Sequence, residues 1–254
     1  MLSAITIRAG WSFLAALRPV VVARRLGCVL CGAVLQTACA QYVSFNATLP
    51  TPVSIPDNST VGTVQSLSVD GIAGAIENLQ VQLDIQSQGG GSMYNGDLYV
   101  TLVHDGTSVV LLNRVGRRAG FSAGYADAGF NINLSDSALA DVHSYRVSLN
   151  GNDFIPLSSG DTPGLLTGTW QPDGRTDDPE AVVTTSPRTT SLSLFTGASA
   201  NGRWSLFLSD LSPGASAVLV GWGLEINPVP EPAEIAFFIG LSLIAWGTLR
   251  RRQR

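Results

Sequence analysis

Between residues 55 and 227 the apolar side chains recur with a period of two, the signature of strands with one buried and one wet face. Leu79, Val81, Leu83 and Ile85 alternate with Gln80, Gln82, Asp84 and Gln86. Trp204, Leu206 and Leu208 alternate with Ser205, Phe207 and Ser209, and Val218, Val220, Trp222, Leu224 and Ile226 are expected to line one face of a last long strand. The same pattern predicts strands at Thr63 to Val69, Asp97 to Val103, Ser108 to Asn113 and Ser191 to Phe195. Glycine and aspartate punctuate these runs, and Asp105-Gly106 between two apolar runs predicts a tight hairpin. Gly151 to Arg188 is polar and strand-poor, and reads as a long loop with one short strand near Leu166 to Trp170. No helical stripe longer than a few residues occurs. Many short strands separated by turn signals predict an all-β antiparallel sandwich.

The two ends have a different pattern. Leu26 to Leu35 is an apolar run of ten residues behind Arg24-Arg25, followed by Ala38-Cys39-Ala40. A basic segment, a short apolar core and an A-x-A site compose a secretory signal peptide, with cleavage by signal peptidase after Ala40 leaving Gln41 first. The run is too short to span a bilayer well. At the other end Pro230-Glu231-Pro232 precedes fifteen uncharged residues, Ile235 to Leu249, and then Arg250, Arg251, Arg252 and Arg254. As a helix those fifteen residues reach ~22 Å, short of a ~30 Å hydrocarbon core, and arginine side chains can snorkel to make up part of the difference. The arginines favour the cytoplasmic side, which leaves the body outside the inner membrane. The expected organisation is a signal peptide over 1–40, a short leader over 41–54, a β-sandwich over 55–227 and an anchoring tail over 228–254.

Charge and cysteine usage then narrow the function. All three cysteines, Cys28, Cys31 and Cys39, lie in the signal segment, so the body can form no disulfide. Cys28 and Cys31 form a lone C-x-x-C in an apolar run without a partner pair, and read as small hydrophobes. Between Gln41 and Val229 seven arginines and no lysine face seventeen carboxylates, an excess of ten negative charges. Nucleic-acid binding is excluded, because it needs clustered cations.

The tail resembles the PEP-CTERM sorting signal in its Pro-Glu-Pro, its short apolar helix with Gly240-Leu241 and its terminal arginines. The resemblance implies a Gram-negative bacterium, an exosortase-type enzyme that recognises and cuts the tail, and a final address at the cell surface or outside the cell. In the body, Ile55-Pro56-Asp57-Asn58, the run Ile76 to Ile85, Asn95-Gly96-Asp97-Leu98, Val109 to Arg114, Phe195-Thr196-Gly197, Ala200 to Leu206 with Asp210, and Gly221 to Ile226 follow one another in an order that resembles the P domain (P/Homo B domain) of proprotein convertases and bacterial subtilisin-like proteases. This resemblance implies a jelly-roll-like β-sandwich of about eight strands that packs on and stabilises a serine protease domain. The fourteen residues from Gln41 to Ser54 are too few to hold such a domain.

Catalysis by the chain itself is not expected. A serine protease needs a nucleophile, a base and an orienting carboxylate, and His104 and His143 are the only histidines. Neither is accompanied by a nucleophile motif. A base assembled from His143, Asp141 and a serine is a coincidence this serine-rich chain would produce, so both histidines are expected at the surface. No H-E-x-x-H and no phosphate loop occurs. Calcium prefers six to eight hard oxygens. Asp97 and Asp210, at strand ends that match the family motifs, are its weak candidates, and Asp173, Asp177, Asp178 and Glu180 read as turn chemistry in one loop. A surface polysaccharide is a further candidate partner, with Tyr94, Tyr99, Tyr125, Tyr145 and Trp170 as possible stacking platforms and Trp204 and Trp222 as core. The reading that results is a non-catalytic exported surface or matrix module, with an accessory role to a subtilisin-like protease as the alternative.

Overall fold

The computed structural model describes residues 42–90, 93–159 and 162–229, together with Trp246 and Arg250 of the tail. In chain order the strands are β1 (Val43–Asn46), β2 (Val53–Ile55), β3 (Thr63–Val69), β4 (Ile76–Ser87), β5 (Leu98–His104), β6 (Thr107–Asn113), β7 (Gly129–Ser135), β8 (Ser158–Ser159), β9 (Thr162–Pro163), β10 (Leu166–Trp170), β11 (Gly202–Asp210) and β12 (Ala217–Pro228). One short helix, α1 (Tyr145–Asn150), follows β7. Two sheets pack as a sandwich. One runs β1-β12-β4-β7-β10 with β2 also on β12, and the other runs β3-β11-β5-β6. β8 and β9 form a small separate ribbon.

The period-two pattern places the core as expected in β4, where Leu79, Val81, Leu83 and Ile85 are buried and the intervening glutamines half-exposed. Opposite them, β7 sets Leu134 beside Val81, Ile132 beside Leu83 and Phe130 beside Ile85. Burying a side chain of this size contributes ~1.5–3 kcal/mol each. The F-x-I-x-L alternation of β7 carries the same signal as β4, yet β7, β1 and β2 are additional to the strands expected from the sequence. β7 and β10 run parallel, an exception to the antiparallel pairing elsewhere in the sandwich. The Asp105-Gly106 hairpin is present, with both residues at positive φ (46° and 78°), as a two-residue turn of matching twist requires.

Two expectations are corrected. Val218 and Val220 do not share a face with Trp222, Leu224 and Ile226. β12 has a register shift between Leu219 and Gly221, so Ala217 and Leu219 are buried before it and Trp222, Leu224 and Ile226 after it. One extra residue at a bulge exchanges the two faces of a strand. Ser191 to Phe195 is also not a strand. Leu192–Phe195 is a 3-10 turn that buries Leu192 and Phe195, three residues apart and therefore on one side of the turn.

Candidate functional site

Beside the edge strands β6 and β10, irregular segments bury charged side chains. His143 and Asp173 are fully buried, with His143 Nδ1 2.8 Å from Asp173 Oδ2 and His143 Nε2 3.0 Å from the Arg117 carbonyl. Arg175 donates from one terminal nitrogen to Asp173 Oδ1 at 3.1 Å and from the other to Asp141 Oδ2 at 2.8 Å. Asp141 accepts the His143 backbone N–H at 2.9 Å, which fixes the turn that carries the ring. The expectation of surface histidines is therefore overturned at this position. The carboxylate beside the ring is Asp173, thirty positions away in sequence. The other ring nitrogen meets a carbonyl where a nucleophilic hydroxyl would have to stand.

His104 is also buried. Its ring stacks on Trp204 with centroids 3.9 Å apart and planes within 2°, and its nitrogens lie 3.0 Å from the Arg203 carbonyl and 2.8 Å from the Ser199 carbonyl. Trp204 donates from its indole to the Ala200 carbonyl at 2.9 Å. The pairing of β11 with β5 sets Trp204 directly opposite His104, so sheet register brings this stack together.

A second polar knot forms around Asp127, which is fully buried. Arg146 donates to both of its oxygens, at 2.7 and 2.9 Å, Tyr145 donates its hydroxyl at 2.5 Å, and the Leu157 N–H reaches it at 2.8 Å. Burial and the neighbouring carboxylate hold the Tyr145 hydroxyl well above its ordinary range. Asn95 ties this knot to β7 by accepting the Gly129 N–H at 2.7 Å and donating to the Gly129 carbonyl at 3.1 Å. The Tyr125 ring seals the site, and a Cβ at Gly116 would fall 2.3 Å from it, so only glycine fits there.

The stacking platforms inferred for a polysaccharide are largely internal. Tyr125, Tyr145 and Trp170 are buried, since their rings fill the space between the irregular segments and the sheets. Tyr99 is half-buried against Phe207, and Tyr94 is exposed. Trp204 and Trp222 are core, as expected. The exposed aromatic pair is instead Phe121 and Phe154, edge to face at 5.5 Å, with the Arg118 guanidinium 3.9 Å from the Phe121 centroid. A groove of about 400 Å³ is lined by Asp136, Gln171, Arg188, Thr190, Ser191 and Ser193. Its charged groups are bound within the protein. Asp136 accepts the Leu192 and Ser193 N–H groups, and Arg188 donates to Gln171 and to the Pro172 and Asp173 carbonyls.

Asp97, just before β5, and Asp210, at the end of β11 and paired with Leu98, lie at one corner, and both are buried. Arg114 lies 3.6 Å from Asp97, and its terminal nitrogens bond Glu180 and Ser212. The Asp173, Asp177, Asp178 and Glu180 cluster is not uniform turn chemistry, because Asp173 is buried in the histidine network while Glu180 stays exposed. Among the described residues no group of three or more His, Cys, Asp or Glu side chains is arranged to hold a metal ion. The sorting residues Pro230, Glu231, Pro232, Arg251 and Arg252, and the cleavage residues Ala38, Ala40 and Gln41, lie outside the described residues. Arg250 is exposed and helical, with its guanidinium 4.6 Å from the Trp246 ring centroid. Among the described residues no helix is long and apolar enough to cross a membrane.

No family model and no curated protein matches the chain. Among solved structures it has a weak likeness to a serine protease of Aeromonas sobria, with 16% identity and a TM-score of 0.37 over 74% of this chain. The chain spans 26% of the length of that protein. An overlap of that size transfers nothing about activity.

Proposed function

We propose that the chain is a non-catalytic β-sandwich module, exported and displayed at the cell surface or in the extracellular matrix through its C-terminal sorting tail. The observation that carries this reading is the placement of the two histidines. Each ring is buried, and each of its nitrogens faces a backbone carbonyl or a buried carboxylate of the chain itself. A general base must reach the proton it removes, directly or through one water, and these rings are committed to holding segments together. The test is incubation of the purified chain with casein and a panel of peptide substrates. No hydrolysis above buffer is expected, and hydrolysis that disappears in His143→Ala would overturn the proposal.

An accessory role to a subtilisin-like protease is the second reading, favoured by the ordered motif resemblance along residues 55–226. Its test is the thermal inactivation half-life of a subtilisin-like catalytic domain with and without the chain. A lengthened half-life supports it, and an unchanged one removes it.

A further inference from the structure

Among the described residues the two sheets of the sandwich present four edges, and three of them are blunted. On one sheet the outer strands β1 and β2 are only four and three residues long. At its other edge β10 has five residues and contains Gly168 at a φ of 94°, outside the ordinary strand region. On the second sheet β6 is covered. The Asp173 and Gly174 N–H groups donate to the Leu111 and Val110 carbonyls at 2.9 and 3.0 Å, and the Val110 N–H donates to Thr190 Oγ1 at 3.3 Å. The fourth edge is β3. Its seven residues pair with β11 in unbroken register from Thr63 to Val69 and with no other strand. Outside that ladder the one bond its backbone makes, among the described residues, is from the Gln65 side chain to the Val64 carbonyl. Every second residue of an edge strand turns its N–H and C=O away from the sheet, and proteins protect such edges with charges, prolines or bulges. β3 has none of the three.

We propose that β3 joins two copies of this chain edge to edge, antiparallel about a two-fold axis, with Ser66 beside Ser66 of the second copy. That is the register in which all seven residues pair. Thr63 then faces Val69, Val64 faces Ser68 and Gln65 faces Leu67, so no charge meets a like charge. A two-fold contact uses the same patch on both copies, and here it satisfies both open edges at once. Charge points to this edge as well. The body has an excess of ten negative charges, which opposes contact through most of its surface. β3 itself is neutral, and the cation beside it is the exposed Arg203, which lies opposite Ser68 and donates to Ser66 Oγ at 3.1 Å. Asp70, the next carboxylate along the chain, falls at opposite ends of the pair in the two copies, roughly 26 Å apart at the rise of a strand. On the outer face Val64 is exposed beside Phe207, its neighbour in β11. Pairing places Ser68 of one copy between its own Arg203 and Val64 of the other, which puts the apolar stem of Arg203 within reach of Val64. A foreign peptide added to an edge is selected by pockets for its alternate side chains. The small hydroxyls of Thr63, Ser66 and Ser68 offer backbone pairing without such pockets, and the grooves around Asp136 include no β3 residue.

Sedimentation equilibrium of the full chain, with hydrogen exchange of the same samples, tests the pairing. A reversible monomer–dimer equilibrium is expected, and a weak one, because a single strand pair buries less than a standard interface. As concentration rises, the peptide covering 63–69 should gain protection while the one covering Leu224 in β12 does not change. Ser66→Lys sets two cations directly opposite each other on the axis and should weaken the dimer at least about tenfold. Ser108→Lys adds the same charge at an exposed position of β6 and should leave it unchanged. A parent that stays monomeric at about 1 mM overturns the proposal. So does a dimer that persists undiminished in Ser66→Lys, since association would then run through another surface or the tail. Equal losses in the two lysine variants reduce the effect to net charge and overturn it as well. If Ser66→Lys does not fold, the parent decides, and a dimer that forms without added protection over 63–69 sinks the assignment to β3.

Discussion

β4 and the irregular segments around Asp127 and Asp173 bury their residues by opposite means. In β4 Leu79, Val81, Leu83 and Ile85 alternate with polar residues, and Val81, Leu83 and Ile85 each meet an apolar partner from β7 on the same face. In the segments that follow β6, β7 and β10, the buried residues include Asp127, His143, Arg146, Asp173 and Arg175, which show no periodicity. Hydrophobic burial is non-directional and tolerates imperfect neighbours. A buried ion needs a specific partner at a specific distance and costs several kcal/mol without one. The strand region is therefore stabilised in many small increments, whereas the loop region depends on a few interactions that fail together.

Single substitutions sharpen that contrast. The largest expected loss is for Trp204→Ala, which removes a ring stacked on His104 and packed against Phe195, and should cost about 3–5 kcal/mol in urea denaturation. Asp127→Ala should cost about 3–5 kcal/mol by leaving the buried Arg146 guanidinium without its carboxylate. Its distinctive feature is non-additivity. Asp127→Ala combined with Arg146→Met should lose clearly less than the sum of the two single variants, because the second change removes the stranded charge. Additive losses would mean that the pair is not coupled and that the loops are held by packing. Leu83→Ala should cost about 2–5 kcal/mol, and a cost near zero would show that the assigned β4 face is wrong. The smallest effect is expected for Glu180→Gln, since its carboxylate is 69% exposed although it contacts two arginines. Such a pair contributes about 0–1 kcal/mol, and a loss of several kcal/mol would place Glu180 with Asp127 as an essential partner.

Those magnitudes follow the division between what the chain reveals locally and what it does not. The β4 and β11 faces, the Asp105-Gly106 hairpin and the strand at Leu166–Trp170 were legible because each depends on neighbours within one element. The F-x-I-x-L run of β7 was equally legible in principle, but the glycine, asparagine and serine interspersed with it diluted the apolar pattern. The candidate site was much less so. Nothing in the surroundings of His143 marks Asp173 as its partner, and Asp141, the nearby carboxylate, takes the backbone N–H instead. Tyr125 and Tyr145 resemble surface platforms in a polar sequence, yet their rings roof the buried Asp127 cluster.

The sequence by itself determined the all-β class, the core face of most long strands and the acidic, cysteine-free character of the body, since period, turn residues and charge are properties of adjacent positions. Tertiary structure decided which carboxylate meets which cation, and that both histidines are internal. It decided too that β12 changes its buried face at the Leu219–Gly221 register shift, where Val218 and Val220 remain half-buried on the far side. The physical reason is the same in each case. Alternation specifies that one face of a strand is buried, but a bulge or a long-range ion pair is fixed only by the partner strand or segment against which it forms.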